Sequence, residues 1–158
     1  MPPATPEAKW LEQFVGEWET TGTATTTPGA EPFTCQGTMS CKSLGGYWVV
    51  SELVSKTTDK PVTAVQQIGY DPAAKQYVGT WIDSTNSHLW KYQGSKDKSG
   101  NVLTLEAAGP NFLGDGKPAL FRDVYDFSDP GRMKLSSFMQ GESGEWIPFM
   151  TSTAVRKE

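Results

Sequence analysis

The sequence predicts an all-β fold, an antiparallel up-and-down barrel of about ten strands preceded by one short N-terminal helix. Three observations carry that expectation. Apolar and polar residues alternate with a period of two in several stretches, most cleanly in Phe33–Leu44. Turn-forming Gly, Pro, Asn and Asp recur at intervals of about 8–14 residues. A single stretch, within Lys9–Trp18, has the spacing of a helical face. An open meander of this length would leave two exposed edges, so closure is the expected solution.

The helix is expected over Pro6–Val15, where Trp10, Leu11, Phe14 and Val15 share one face and Glu7, Glu12 and Gln13 oppose it. Thr5 is its N-cap, Pro6 its first helical residue, and Gly16 its end. Trp18–Thr27 is extended and closes at Pro28-Gly29. After Phe33–Leu44, Gly45-Gly46 makes a tight turn into the aromatic and β-branched stretch Tyr47–Thr57. Asp59-Lys60-Pro61 leads to Val62–Tyr70, and Asp71-Pro72 opens the next turn with the residues such a turn favours. Strands are expected over Tyr77–Asp83, His88–Ser95, Val102–Ala108, Leu120–Phe127, Met133–Gln140 and Trp146–Arg156. Between them, the glycine-rich Gly109–Pro118 is the longest connection and the candidate lid.

At 158 residues the chain, 1–158, is read as one domain, with 1–6 as a flexible tail. Six Trp, seven Phe and five Tyr provide large buried areas without a metal or disulfide. The formal charge is -4 with no basic block, which argues against nucleic acid as a partner. No apolar run approaches the roughly 20 residues of a membrane-spanning helix, so no membrane partner is expected. Cys35 and Cys41 lie in one predicted strand, roughly 20 Å apart at its rise per residue, beyond disulfide reach. Free thiols and an N-terminus without a secretion-signal pattern suggest a cytoplasmic location. Two cysteines and one histidine are too few for a protein-only zinc site, so no metal is expected.

Lys9–Trp18, Ser43–Val50, Gly69–Pro72, Tyr77–Ser84, Leu89-Trp90 and Phe121–Val124 follow the order of a bacterial family. On these motifs the chain resembles the domain-of-unknown-function 1579 family, a calycin-like group akin to lipocalins and fatty-acid-binding proteins. The resemblance spans nearly the whole chain and implies the calycin-like barrel, with Trp18 on its floor under Arg156 of the last strand. Stacking and cation–π attraction give that pairing its physical sense. The family supplies no catalytic or binding residues to carry over. The Gly-x-Trp start is also similar to nitrobindin-type haem barrels, whose haem-ligating histidine lies in a late strand. Trp146–Glu158 has no histidine, so no haem and no other cofactor is expected.

Candidate chemistry gathers around two strands. His88, Trp90 and Tyr92 share one face by parity, and so do Tyr77, Trp81 and Asp83. His88 is read as a general base or pocket hydrogen-bonding group, or else as a strand-end histidine bonded to backbone or solvent. Asp83 would orient His88 as an acid–base pair, or else cap a polar turn. A nucleophile would have to be Ser84, Ser87 or Cys35, and no Gly-x-Ser-x-Gly elbow accompanies them.

Glu52, Arg122 and Asp123 are charges within apolar strands. Neighbours point to opposite faces, so one of Arg122 and Asp123 looks inward. An inward arginine would hold a ligand carboxylate; an outward one would form a cross-strand ion pair. Met39, Met133, Met139 and Met150 either line an adaptable cavity or fill core. Gly114-Asp115-Gly116-Lys117 lacks the spacing of a phosphate loop.

The leading functional expectation is a lipocalin-like protein binding a small, partly apolar ligand inside the barrel. Its candidate ligand-binding residues are Trp48, Glu52, Trp81, Asp83, His88, Trp90, Tyr92 and Arg122. One alternative is an enzyme, a hydrolase or isomerase, using Asp83 and His88 in the same pocket. The other is a ligand-free module that forms a homodimer through strands apolar on both faces, such as Tyr47–Val50 and Ile147–Val155.

Overall fold

The computed structural model describes residues 1–27, 29–57, 59–112 and 114–157. Pro28 of the expected turn, Leu113 of the expected lid loop and the terminal Glu158 lie outside the described residues. A short helix, α1 (Pro6–Trp10), runs into a 3-10 turn over Leu11–Phe14. Ten strands follow: β1 (Gly16–Ala24), β2 (Phe33–Leu44), β3 (Trp48–Ser55), β4 (Val62–Asp71), β5 (Gln76–Asp83), β6 (Trp90–Lys96), β7 (Val102–Pro110), β8 (Pro118–Asp126), β9 (Arg132–Gln140) and β10 (Trp146–Arg156). All pair antiparallel with their sequence neighbours, and β1 pairs with β10 to close the barrel. The all-β, up-and-down barrel expected from the sequence is the observed architecture. Closure leaves neither β1 nor β10 as an open edge strand.

Two local details differ from expectation. Thr5 caps α1 through Ala8 N–H, but the helix tightens at Leu11 and the strand already begins at Gly16, whose φ of +140° suits glycine alone. His88 precedes β6 and is not part of it. Apart from these two, the Pro2 carbonyl of the N-terminal segment accepts from the Tyr47 hydroxyl.

The N-terminal segment stoppers one end of the barrel. Its Leu11 and Phe14 are fully buried, with Phe14 edge-on to Tyr125 and Phe127 at 5.3 and 4.9 Å. Trp10 Nε1 donates to the Gly100 carbonyl at 2.7 Å, and the Tyr77 hydroxyl to the Glu7 carbonyl at 3.0 Å. Trp18, 1% exposed, sits beneath and donates from Nε1 to the Phe14 carbonyl at 2.8 Å. Arg156, its register partner on β10, lies 4.2 Å above the indole. The same guanidinium donates to the Val15 and Gln13 carbonyls, groups left over where the 3-10 turn ends. One arginine thus ties the last strand to the first strand and to the plug.

Above this floor the strand parity sorts side chains cleanly. Odd positions of β2, β3, β5, β7, β8 and β9 and even positions of β1, β4 and β6 face inward, as their burial alternates. In β10 a register shift between Pro148 and Met150 turns both Phe149 and Met150 toward the interior, as a bulge allows.

Candidate functional site

The end of the barrel opposite the plug is not filled. A cavity of about 490 Å³ opens there, within the range of small-ligand sites. Its walls are aromatic. Phe121 lies 5.0 Å from Trp90 and 6.1 Å from Phe149, both edge-on. Phe112, from the 111–117 loop, stacks on Phe121 at 5.1 Å with the planes 11° apart. That loop is folded by its own hydrogen bonds, Asn111 N–H to the Lys117 carbonyl and Gly116 N–H to the Asn111 carbonyl. It therefore holds Phe112, 56% exposed, across the mouth.

The depth of the cavity is polar. Asp123, on β8 between inward Phe121 and Tyr125, accepts from the Tyr92 hydroxyl at 2.7 Å and from the Ser137 hydroxyl at 2.7 Å. Beside it, Gln66 Nε2 donates to the Tyr125 hydroxyl at 2.6 Å. Burial pushes the Asp123 carboxyl above the usual carboxylate range, and the Ser137 and Tyr92 hydrogen bonds offset only part of that. Burial, with the neighbouring Asp123 carboxyl, also pushes the Tyr92 and Tyr125 phenols well up. This layer separates the buried floor, Phe14 and Trp18, from the roomy mouth.

The sequence candidates fall into three places. Trp81, Asp83, Trp90 and Tyr92 line the cavity. Asp83 accepts from Trp81 Nε1 at 2.9 Å, from Thr85 N–H at 2.8 Å and from the Thr85 hydroxyl, so it caps the 84–89 turn. His88 stands at the rim, edge-on to Trp90 at 4.6 Å. Its backbone N–H donates to Asn86 Oδ1 at 2.9 Å and its Nε2 lies 3.2 Å from the Ala108 carbonyl. A carbonyl only accepts, so that ring nitrogen carries the proton. Asp83 and His88 thus bond to different partners, and the expected acid–base pair is not assembled. Gly109 leaves room for this corner, since a β-carbon there would collide with the Trp90 ring.

Trp48, Glu52 and Arg122 require correction: they point out of the barrel, away from the cavity. Trp48 lies across Gly69, its register partner on β4, where a β-carbon would strike the indole. Glu52 is exposed between inward Ser51 and Leu53. Arg122 pairs on the outer face with Glu106, Nη2 to Oε1 at 2.6 Å, and lies 3.8 Å over the Trp146 ring. The inward member of the Arg122–Asp123 pair is Asp123. Ser137, Phe112 and Phe149 were not among the sequence candidates, and Asp123 was named only as the possible inward neighbour of Arg122. For Asp123 a signal existed, because it shares parity with two bulky aromatics, Phe121 and Tyr125.

Both cysteines are free. Cys41 is buried and accepts from the Ser51 hydroxyl at 3.0 Å; burial pushes its thiol up to about 11. Among the described residues no group of three His, Cys, Asp or Glu side chains is placed to hold a metal ion. No described helix is long and apolar enough to cross a membrane.

The class of protein this defines is a closed ten-strand antiparallel β-barrel, plugged at one end and hollow at the other. The family model described as "Protein of unknown function (DUF1579)" matches residues 3–156, and the chain belongs to that family. Comparison with curated proteins gives no match. Among solved structures, the chain is similar to Rv2717c from M. tuberculosis, with a TM-score of 0.67 and 13% identity over 99% of this chain and 100% of that one. It is also similar to the S-type phycobiliprotein lyase CPES from Guillardia theta, with a TM-score of 0.57 and 12% identity over 99% of each chain. A redesigned β-barrel gives a TM-score of 0.52 at 15% identity, covering 99% of this chain and 100% of that one. At such identities the likeness is one of fold.

Proposed function

We propose that this protein binds one small, partly apolar molecule in the mouth of its barrel. The observation that carries the reading is the cavity of about 490 Å³, walled by Trp81, Trp90, Phe112, Phe121 and Phe149 and backed by polar Asp123, Tyr92 and Ser137. Apolar walls supply affinity by removing surface from water, while a few fixed polar groups set orientation. The closed floor supports the same reading, because it stabilises the barrel without filling the mouth. Covered aromatic surface and a polar anchor suit binding and release, with Phe112 as the side chain a ligand would displace or pack against.

The test is a fluorescence titration with the neutral probe N-phenylnaphthylamine, on the parent chain and on Leu135→Trp, which adds bulk to the cavity wall. Saturable binding at one site is expected, lost in the variant while its far-UV circular dichroism stays that of a β-barrel. Absence of saturable binding up to about 1 mM probe, an affinity of only about -4 kcal/mol, would overturn the reading.

A further inference from the structure

We propose that the ligand is an organic amine bound as its ammonium, an apolar body carrying a positively charged end, and that carboxylates are rejected. This rests on the reading of the mouth as a small-molecule site. Among the described residues, the cavity lining includes two carboxylates, Asp83 and Asp123, and no Lys, Arg or His. An anionic ligand would find no countercharge there and would face two like charges in a medium that screens poorly. Fatty-acid-type recognition needs an inward arginine, and Arg122 is committed to Glu106 on the outer face.

Each carboxylate retains capacity for a donor. Asp123 accepts one hydrogen bond on each oxygen, from Tyr92 and Ser137, and a carboxylate offers about four acceptor sites. Those two donors fix its orientation without exhausting it. The rings of Trp81, Trp90 and Tyr92 share the same lining, and aromatic faces attract ammonium through their quadrupoles. A carboxylate at depth within an aromatic wall is the combination that recognises a partly desolvated ammonium.

The mouth loops point the same way. Loops 25–32, 56–61, 84–89, 111–117 and 141–145 carry Glu31, Asp59, Asp115, Glu142 and Glu145 against Lys56, Lys60 and Lys117, with His88 in the third of them. Their excess of negative charge would draw a cation toward the opening and slow an anion. Burial holds Asp123 above the ordinary carboxylate range, and a bound ammonium would relieve that cost.

The experiment is calorimetric titration at neutral pH with three compounds sharing one apolar body: naphthylmethylamine, naphthylmethanol and naphthoic acid. The amine is expected to bind tightest, at least about tenfold above the acid, equivalent to about 1.4 kcal/mol. In Asp123→Asn the amine should lose its lead over the alcohol, with alcohol binding kept. An acid binding as tightly as the amine, or an amine preference unchanged in both Asp123→Asn and Asp83→Asn, would overturn the inference and leave the small-molecule reading standing. Failure of all three to bind would overturn both. Should Asp123→Asn fail to fold, the ranking in the parent chain decides alone.

Discussion

The two ends of this barrel are built from similar residues to opposite purposes. At the floor, Trp18, Phe14 and Leu11 are sealed by the N-terminal segment, and each polar group of the seal is matched: Trp18 Nε1 with the Phe14 carbonyl, Arg156 with two more carbonyls. At the mouth, Trp81, Trp90, Phe112 and Phe121 are as aromatic, yet beyond the contacts among the last three they surround space. The difference lies in what crosses the opening. The floor has Pro6–Phe14, a segment that contributes its own core residues; the mouth has loops, of which, among the described residues, 111–117 alone contributes a Phe, Tyr or Trp ring. Aromatic content alone therefore does not distinguish core from pocket. The presence of a plugging element does.

The contrast can be broken most forcefully at Trp18. Trp18→Ala should cost about 3–5 kcal/mol, the usual range for emptying a packed aromatic site. Phe112→Ala, half exposed at the mouth, should cost less than about 1 kcal/mol. Urea unfolding of the two variants measures both, and comparable losses would erase the distinction between the ends.

Arg156→Ala comes next. It removes two charge-assisted hydrogen bonds and one cation–π contact, but the side chain is exposed, so about 1–2 kcal/mol is expected. Arg156→Lys should recover part of this and not all, because a point charge cannot serve the ring and two carbonyls together. Full recovery by lysine would reduce the clamp to simple charge.

Asp123 sharpens the comparison on the mouth side through pH. Its folded carboxyl titrates above the unfolded value of about 3.9. Within that window the native state holds more protons than the unfolded state, so stability falls as pH rises through it. Asp123→Asn should therefore gain on the parent chain as pH rises from about 4, with the two melting curves converging below that. A gap that widens toward acid would mean that the ionised carboxylate stabilises the fold.

The smallest effect concerns the thiols. Cys41, held up to about 11, should react with iodoacetamide more slowly than the partly buried Cys35 at pH 8, as read by mass mapping. Equal rates would show that the lower barrel opens readily.

Much of the fold was legible because turns and strand periods are local. Gly45-Gly46 and Asp71-Pro72 can do little but turn, and Phe33–Leu44 alternates in a way that fixes its inner face. The floor was legible in part, since a helix-like stretch followed by Gly-x-Trp has few other uses in a chain of strands. The cavity was less so. In β3, Trp48 and Val50 are as apolar as Val49 and Leu53, and only Gly69 on the neighbouring strand explains an outward indole. In β8, Leu120 and Val124 dilute the signal of Phe121 and Tyr125, which hid the direction of Asp123. In β10 the bulge at Phe149 breaks parity, a property of pairing that no single strand contains. His88 is the only histidine, which makes it conspicuous in the sequence, whereas its Nε2 proton meets a backbone carbonyl.

The central claim is that the mouth is a site and the floor is a seal, and the six tryptophan indole N–H signals in a proton–nitrogen correlation spectrum test it directly. On titration with naphthylmethylamine, the Trp81 and Trp90 signals should move while those of Trp10, Trp18, Trp48 and Trp146 stay. Movement led by Trp18, or by the outward Trp48 and Trp146, would contradict it.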